Sequence, residues 1–289
     1  MSVQLVHYKA STGNVGDDFS EWLFSRCLGL KLTEKSETLL FGIGSILDQK
    51  FDKSFSTERT RRRLVFGSGA RAATTLPDII RDEWHIYCVR GPLTACALGL
   101  HSDKAVADPA ILAPKFRPAT AENGSIGIVP YFTASSTAWG QVAKNLGWTV
   151  ISPHLGVEDF IDALTQCSRV FCESMHGAIF ADAYRIPWRP LSGTGASSEG
   201  PTHAFKWTDW TASMGIGFDS IRTPPISRFA PKDAVALLKQ RVKVEWIARK
   251  LEKAAREDRF QLSRDTVLWA RQERLEDLMD EMRRDLGAR

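Results

Sequence analysis

The 289-residue sequence contains no run of about 18 uncharged apolar residues, which excludes a bilayer-spanning helix. Its start, MSVQLVHYKASTGNVGDD, lacks an apolar core followed by a small-residue cleavage site, so no secretory signal is expected and the chain reads as cytoplasmic. Cysteine is sparse: five residues, odd in number and without a C-x-x-C pair, which argues against a disulfide framework or a zinc ribbon. Cys27, Cys88, Cys96, Cys167 and Cys172 all sit in apolar segments, so buried, reduced thiols are expected. The six histidines show no H-x-x-x-H spacing and no D-x-D triplet occurs, so no metal site is expected. A P-loop, a G-x-G-x-x-G fingerprint and a G-x-S-x-G nucleophile elbow are missing too.

Nor is there a large excess of one charge. Lys and Arg number 38 against 34 Asp and Glu, a net charge of +4, and residues 241–289 alone hold 13 basic and 11 acidic groups. No positive stripe marks a nucleic-acid surface. The one dense basic run, Arg59, Arg61, Arg62 and Arg63, precedes an apolar segment. It reads as a solvated loop or the start of a strand, with a phosphate or membrane contact as the lesser alternative. Apolar residues at 43% and charged residues at 25% are ordinary globular usage, and the length suits two domains.

What is present is an alternation of short apolar runs and helical patterns, the mark of a parallel sheet with crossover helices. Strands are expected at VQLVHYK (3–9), LLFGIGSIL (39–47), LVFGSGA (64–70) and 85–89. One helix carries Phe19, Trp22, Leu23 and Leu30, and another opens near Gly91-Pro92. APKFRPATAENG (113–124) is poor in apolar residues and reads as an interdomain linker. A second series follows: a strand at 125–131, a helix near 137–146, a strand at 148–152, a helix at 157–167, then strand, sharp turn and helix through SRVFCESMHGAIFADAYR, and WRPLS as a last strand. The expected units are residues 1–115, 122–228 and a helical extension, 232–289. In the extension, Ile247, Leu251 and Ala254 share one face, and so do Leu275, Leu278, Met279, Met282 and Leu286. Packing back on the domains, or homo-oligomer formation, is expected ahead of membrane attachment, because acidic residues are mixed among the basic ones.

Three segments have the look of anion sites. In Gly13-Asn14-Val15-Gly16-Asp17-Asp18, glycines permit close backbone approach and a helix N-terminus follows, although a plainly capped helix start explains the string equally well. Arg90, at a strand end before a helix, can fork onto a carboxylate or phosphate, or simply pair with a neighbouring Asp. In Glu173-Ser174-Met175-His176-Gly177, a histidine at a strand-to-helix turn suits a proton donor that is charged beside an anionic substrate; the alternative is a helix-capping histidine. Lys206 in THAFKWTDW is a further phosphate contact to consider, while core packing is expected of Trp207 or Trp210.

The strings GNVGDD, FGIGS, FGSGA, VRGPLTA, ADPAIL and ESMHGAIFADAYRIPW, in this order, resemble the polysaccharide pyruvyl transferases. The branch they look most like adds pyruvate ketals to bacterial exopolysaccharides such as succinoglycan. The resemblance implies an α/β fold of two Rossmann-like domains in a GT-B-like arrangement, and no cofactor. It implies phosphoenolpyruvate as donor and an oligosaccharide as acceptor, with a lipid-linked form at the inner membrane face a natural guess. Glu173, His176 and Gly177 match the family's S-E-R-L-H-G; Met175 replaces Leu, Ser174 replaces Arg, and Cys172 stands where Ser is usual. Lys206, Arg189 or Arg71 would then supply the cation missing at position 174. The implied catalytic set is His176 as general acid, Arg90 as anion clamp and Asp18 or Asp17 acting on acceptor hydroxyls. The implied substrate contacts are Asn14, Gly16, Asp17, Gly44, Ser68, Gly69, Glu173, Ser174, Met175, Gly177 and Lys206. A nucleotide-sugar glycosyltransferase and a non-catalytic exopolysaccharide assembly protein remain the alternatives at this point, since one fold hosts many functions.

Overall fold

Runs such as TLLF and RRLVF, apolar on both faces, belong in the middle of a covered parallel sheet. That is where the computed structural model, which describes residues 2–29, 31–48, 62–73, 84–134, 136–226, 231–257 and 259–287, places them. The strands β1 (Ser2–Val6), β2 (Lys31–Leu32), β3 (Thr38–Phe41), β4 (Arg62–Phe66) and β5 (Trp84–Cys88) form one parallel sheet in the order β2-β1-β3-β4-β5. Helices α1 (Val15–Cys27) and α2 (Pro92–Ala97) follow β1 and β5. After a short helix α3 (Ala113–Phe116), a second parallel sheet is built from β6 (Ser125–Val129), β7 (Thr149–Val150), β8 (Cys167–Cys172), β9 (Trp188–Ser192) and β10 (Ile221–Arg222). Its order is β10-β9-β8-β6-β7. Helices α4 (Ser136–Leu146), α5 (Val157–Thr165), α6 (Met175–Ala183), α7 (Thr194–Glu199) and α8 (Pro201–Ser213) belong to this half.

Counted from its own first strand, each sheet has the order 2-1-3-4-5 of a doubly wound fold. In each, the order reverses beside the first strand: between β1 and β3, paired Gln4 with Leu39, and between β6 and β8, paired Gly127 with Val170. Such a switch point opens a crevice at the carboxyl ends of the strands. The expected α/β class and parallel sheets are therefore present.

Several boundaries differ from the sequence reading, each for a local reason. The strand expected over 39–47 stops at Phe41, because Gly42 presses against Ser20 and Phe24 and Gly44 turns to a φ of 126°. The helix expected to reach 167 ends at Thr165, and Cys167 already opens β8. WRPLS is not the last strand, since β10 pairs beyond it. The expected linker begins as α3 and is fastened down: Arg117 makes two bonds to Asp162, of 3.0 and 2.5 Å, and the Tyr184 hydroxyl donates to the Arg117 carbonyl. Of the basic run, Arg62 and Arg63 start β4, with Arg63 buried beneath the Trp84 ring; Arg59 and Arg61 lie outside the described residues. Cys88, Cys167 and Cys172 are buried thiols, but Cys27 is only half-buried and Cys96 is exposed.

One hydrophobic core runs through both halves. Phe19 and Phe24 of α1 share it with Phe160 of α5 and Phe180 of α6, and the Phe19 and Phe180 rings meet edge-on at 5.0 Å. Trp207 and Trp210 are both buried in it. The last two helices, α9 (Ala234–Arg256) and α10 (Asp265–Asp285), pack back on α4 and on β5, and the faces named from the sequence are the buried ones.

Candidate active site

The two switch points open on a single cavity of about 500 Å³. Its walls come from just past β1 (Tyr8, Asn14, Asp17), past β3 (Gly44, Ser45), past β6 (Tyr131, Phe132) and past β8 (Ser174, Met175, His176). Asp48, Arg71, Glu199 and Lys206 complete the rim. Two helix N-termini point into it, α1 from Asn14 and α6 from Ser174, each bringing the positive end of its dipole; at α1 the Asn14 and Val15 N–H groups are already taken, by Asp18 and by the Pro153 carbonyl. Such termini hold phosphates and carboxylates.

His176, in the first turn of α6, is the pivot. Its Nε2 lies 3.5 Å from Asp108 Oδ2, and both atoms are buried without a hydrogen-bond partner among the described residues. Asp108 is wholly buried, and its other oxygen accepts the Ala110 N–H at 3.0 Å, which fixes the carboxylate in place. A fixed carboxylate behind an imidazole sets its tautomer and the orientation of its ring. The opposite ring nitrogen, Nδ1, rests on Gly16, where any Cβ would overlap it. Gly16 thus serves by being small. Asp108 belongs to the ADPAIL string but was not singled out, because nothing local in sequence ties it to a residue 68 positions later.

The acids and cations form a connected set. Burial lifts the Asp17 carboxyl to about 6, against the pull of His176, Asn14 and Lys206. Asn14 Nδ2 donates to Asp17 Oδ2 at 2.5 Å. Lys206 donates to Glu199 at 2.6 Å, and burial lowers its pKa. Burial alone would raise Glu199, but His203 and Lys206 bring it down to about 2, so it stays ionised. Arg71, across the cavity, lies 3.6 Å from Asp48. Both rim cations are thus held by acids, and a dianion would draw on the helix N-termini as well.

Other residues named from the sequence sit elsewhere. Arg90 is completely buried beneath the cavity floor: Nε binds Asp209 at 3.0 Å, one Nη binds Ser45 Oγ at 2.8 Å, and the other binds the Ala70 carbonyl. With its charge neutralised and its donors engaged, it is a brace rather than an anion clamp. Gly69 makes room for that guanidinium, and Ser68 Oγ donates to the Phe41 and Gly42 carbonyls, so neither faces the cavity. Asp18 accepts the Asn14 N–H at 3.0 Å and closes the α1 start; Asp17 takes the inward place. Glu173 is buried and accepts the N–H groups of Tyr131, Thr194 and Gly195. Gly177 lets α6 press on Val129. Arg189 is not part of this cavity's lining and is bonded to the Ala254 carbonyl and to Glu257. Asn14, Gly16, Asp17, Gly44, Ser174, Met175, His176 and Lys206 are the expected residues brought together here.

The chain is 33% identical over 227 residues to the succinoglycan biosynthesis protein ExoV of Rhizobium meliloti strain 1021, covering 77% of this chain and 68% of that protein. No solved structure matches it. Residues 31–194, more than half of the chain and inclusive of the Asp108 and His176 segments, match the polysaccharide pyruvyl transferase model. The chain belongs to the polysaccharide pyruvyl transferase family.

Proposed function

We propose that this protein moves pyruvate from phosphoenolpyruvate onto a sugar of an exopolysaccharide repeat unit as a cyclic ketal. The observation that carries the reading is His176 in the wall of a cavity faced by two helix N-termini, with the buried Asp108 carboxylate behind it. Phosphoenolpyruvate bears a carboxylate and a phosphate; the Ser174 helix start, with Lys206 and Arg71, offers donors to them, and the α1 dipole adds positive potential. Lys206 and Arg71 thereby stand in for the arginine that Ser174 replaces.

His176, held by Asp108, gives its proton to the methylene carbon, and the adjacent carbon becomes an oxocarbenium centre. A sugar hydroxyl adds there and loses its proton to Asp17, whose pKa of about 6 suits a base at neutral pH. Phosphate leaves with the electron pair of its C–O bond, and a second hydroxyl closes the ring and gives its proton to the His176 imidazole, which restores the acid. Tyr8, Tyr131 and Phe132 supply aromatic faces on which the acceptor ring rests. The reading takes 1–115 and 122–228 as the two halves of a GT-B-like arrangement, with 232–289 packed back on them, working in the cytoplasm where the donor is made. Incubation with isotope-labelled phosphoenolpyruvate and an oligosaccharide extract should yield acid-labile labelled pyruvate on sugar; absence of such a product contradicts the reading.

A further inference from the structure

Helix α9 buries one face and leaves the opposite one bare. Val244, Ile247, Ala248, Leu251 and Ala254 are buried, whereas Val235, Leu238, Val242 and Trp246 are 61, 62, 62 and 47% exposed. At helical spacing those four fall within an arc of roughly 80° on the side away from the core. Singly exposed apolar residues need no explanation, but a stripe of four that includes a tryptophan does.

The charge around the stripe says what can cover it. The near balance of residues 241–289 conceals a division: α9 carries seven basic residues and two acidic ones, α10 four basic and seven acidic. The acidic residues that argued against lipid contact therefore belong mostly to the other helix. The same side of α9 continues past Trp246 into Lys250 and Lys253. Lys250 Nζ lies 4.6 Å from the centre of the Trp246 ring. With Arg189, Arg222 and Arg259, these lysines line a second cavity of about 400 Å³, where, among the described residues, five cations face two acids, Asp219 and Glu257. A second copy of this chain would set two such cationic surfaces against one another. Four side chains on one helix also fall well short of the roughly 800 Å² per partner of a stable interface. An anionic bilayer matches both halves of the pattern: apolar residues and tryptophan at the headgroup boundary, lysines and arginines on the phosphates.

We propose that α9 docks this protein on an anionic phospholipid surface through Val235, Leu238, Val242 and Trp246, with the Lys250–Lys253 cavity taking lipid phosphates. This deepens the proposed function, on which it rests only for its purpose, by bringing the active site to a lipid-borne acceptor. The test is co-sedimentation of the full chain with phosphatidylcholine vesicles with and without phosphatidylglycerol. Sedimentation is expected only with phosphatidylglycerol, weakened by high salt, reduced roughly fivefold each by Lys250→Gln and Lys253→Gln, and lost in the exposed double variant Leu238→Glu/Val242→Glu. That variant should keep its fold by circular dichroism and its transfer to a soluble acceptor. No sedimentation, equal sedimentation with both vesicles, or sedimentation untouched by the double variant would overturn the proposal. So would a dimer by light scattering that the variant dissociates while vesicles go unbound. Vesicle binding by a chain that transfers no pyruvate would uphold this surface and sink the reading of the active site.

Discussion

A buried carboxylate and an imidazole stand 3.5 Å apart, with no hydrogen-bond partner for the facing atoms among the described residues, an arrangement that marks a candidate functional site. His176→Ala should lower kcat about 10²–10⁴-fold in a pyruvyl transfer assay. Asp108→Asn should lower it about 10²-fold with little change in thermal stability, since the amide keeps the size but not the charge that holds the ring. Asp17 makes a prediction about pH. Its folded pKa of about 6 lies above the ordinary 3.8, so the native state binds the extra proton between those values and stability falls as pH rises through that window. Asp17→Asn should therefore stabilise the protein by up to about 3 kcal/mol above pH 6 and leave it unchanged near pH 4. Thermal melts across pH, with activity lost in the same variant, check both halves of the statement. His176, Asp17 and Lys206 were legible as site candidates because their residue types and neighbours fit the chemistry. Asp108 was not, because its role exists only once β8 brings α6 beside the loop after β5.

Among the elements, the meeting of α1 and α6 matters most, and it depends on what Gly16 lacks. Gly16→Ala should raise the intrinsic preference of α1 for helix while driving a methyl group into the His176 ring. Activity should drop at least about tenfold with the melting temperature nearly unchanged; kinetics and melting on one preparation test it. Most elements could be read from the sequence, since parallel strands buried on both faces appear as continuous apolar runs and their helices follow at regular distance. What could not be read were features decided by packing across the chain. The early end of β3 follows from Gly42 pressing on α1, and β10 is two residues long, below any periodic signal. Arg90 looked like a ligand-binding arginine because a strand end before a helix is where such groups sit. Asp209, 119 positions away on α8, turned it into a brace.

Across the whole molecule, two sheets of the same winding face their switch points at one cavity, and a shared core with the Arg90–Asp209 pair keeps them so. Asp209 also accepts the Thr94 N–H at 2.9 Å and its hydroxyl at 2.6 Å, which ties α8 to α2. Removing Asp209 leaves a buried guanidinium uncompensated, a loss of about 3–5 kcal/mol. Asp209→Ala should lower the melting temperature by roughly 10 °C, whereas loss of activity without destabilisation would count against the brace. The central claim is that His176 delivers a proton to the methylene carbon of phosphoenolpyruvate. The most direct measurement is the reaction run in deuterium oxide, with the ketal methyl examined by mass spectrometry. The account predicts one deuterium in that methyl for the unaltered protein and almost no product for His176→Ala. A methyl group free of deuterium, or full product from the variant, would contradict it.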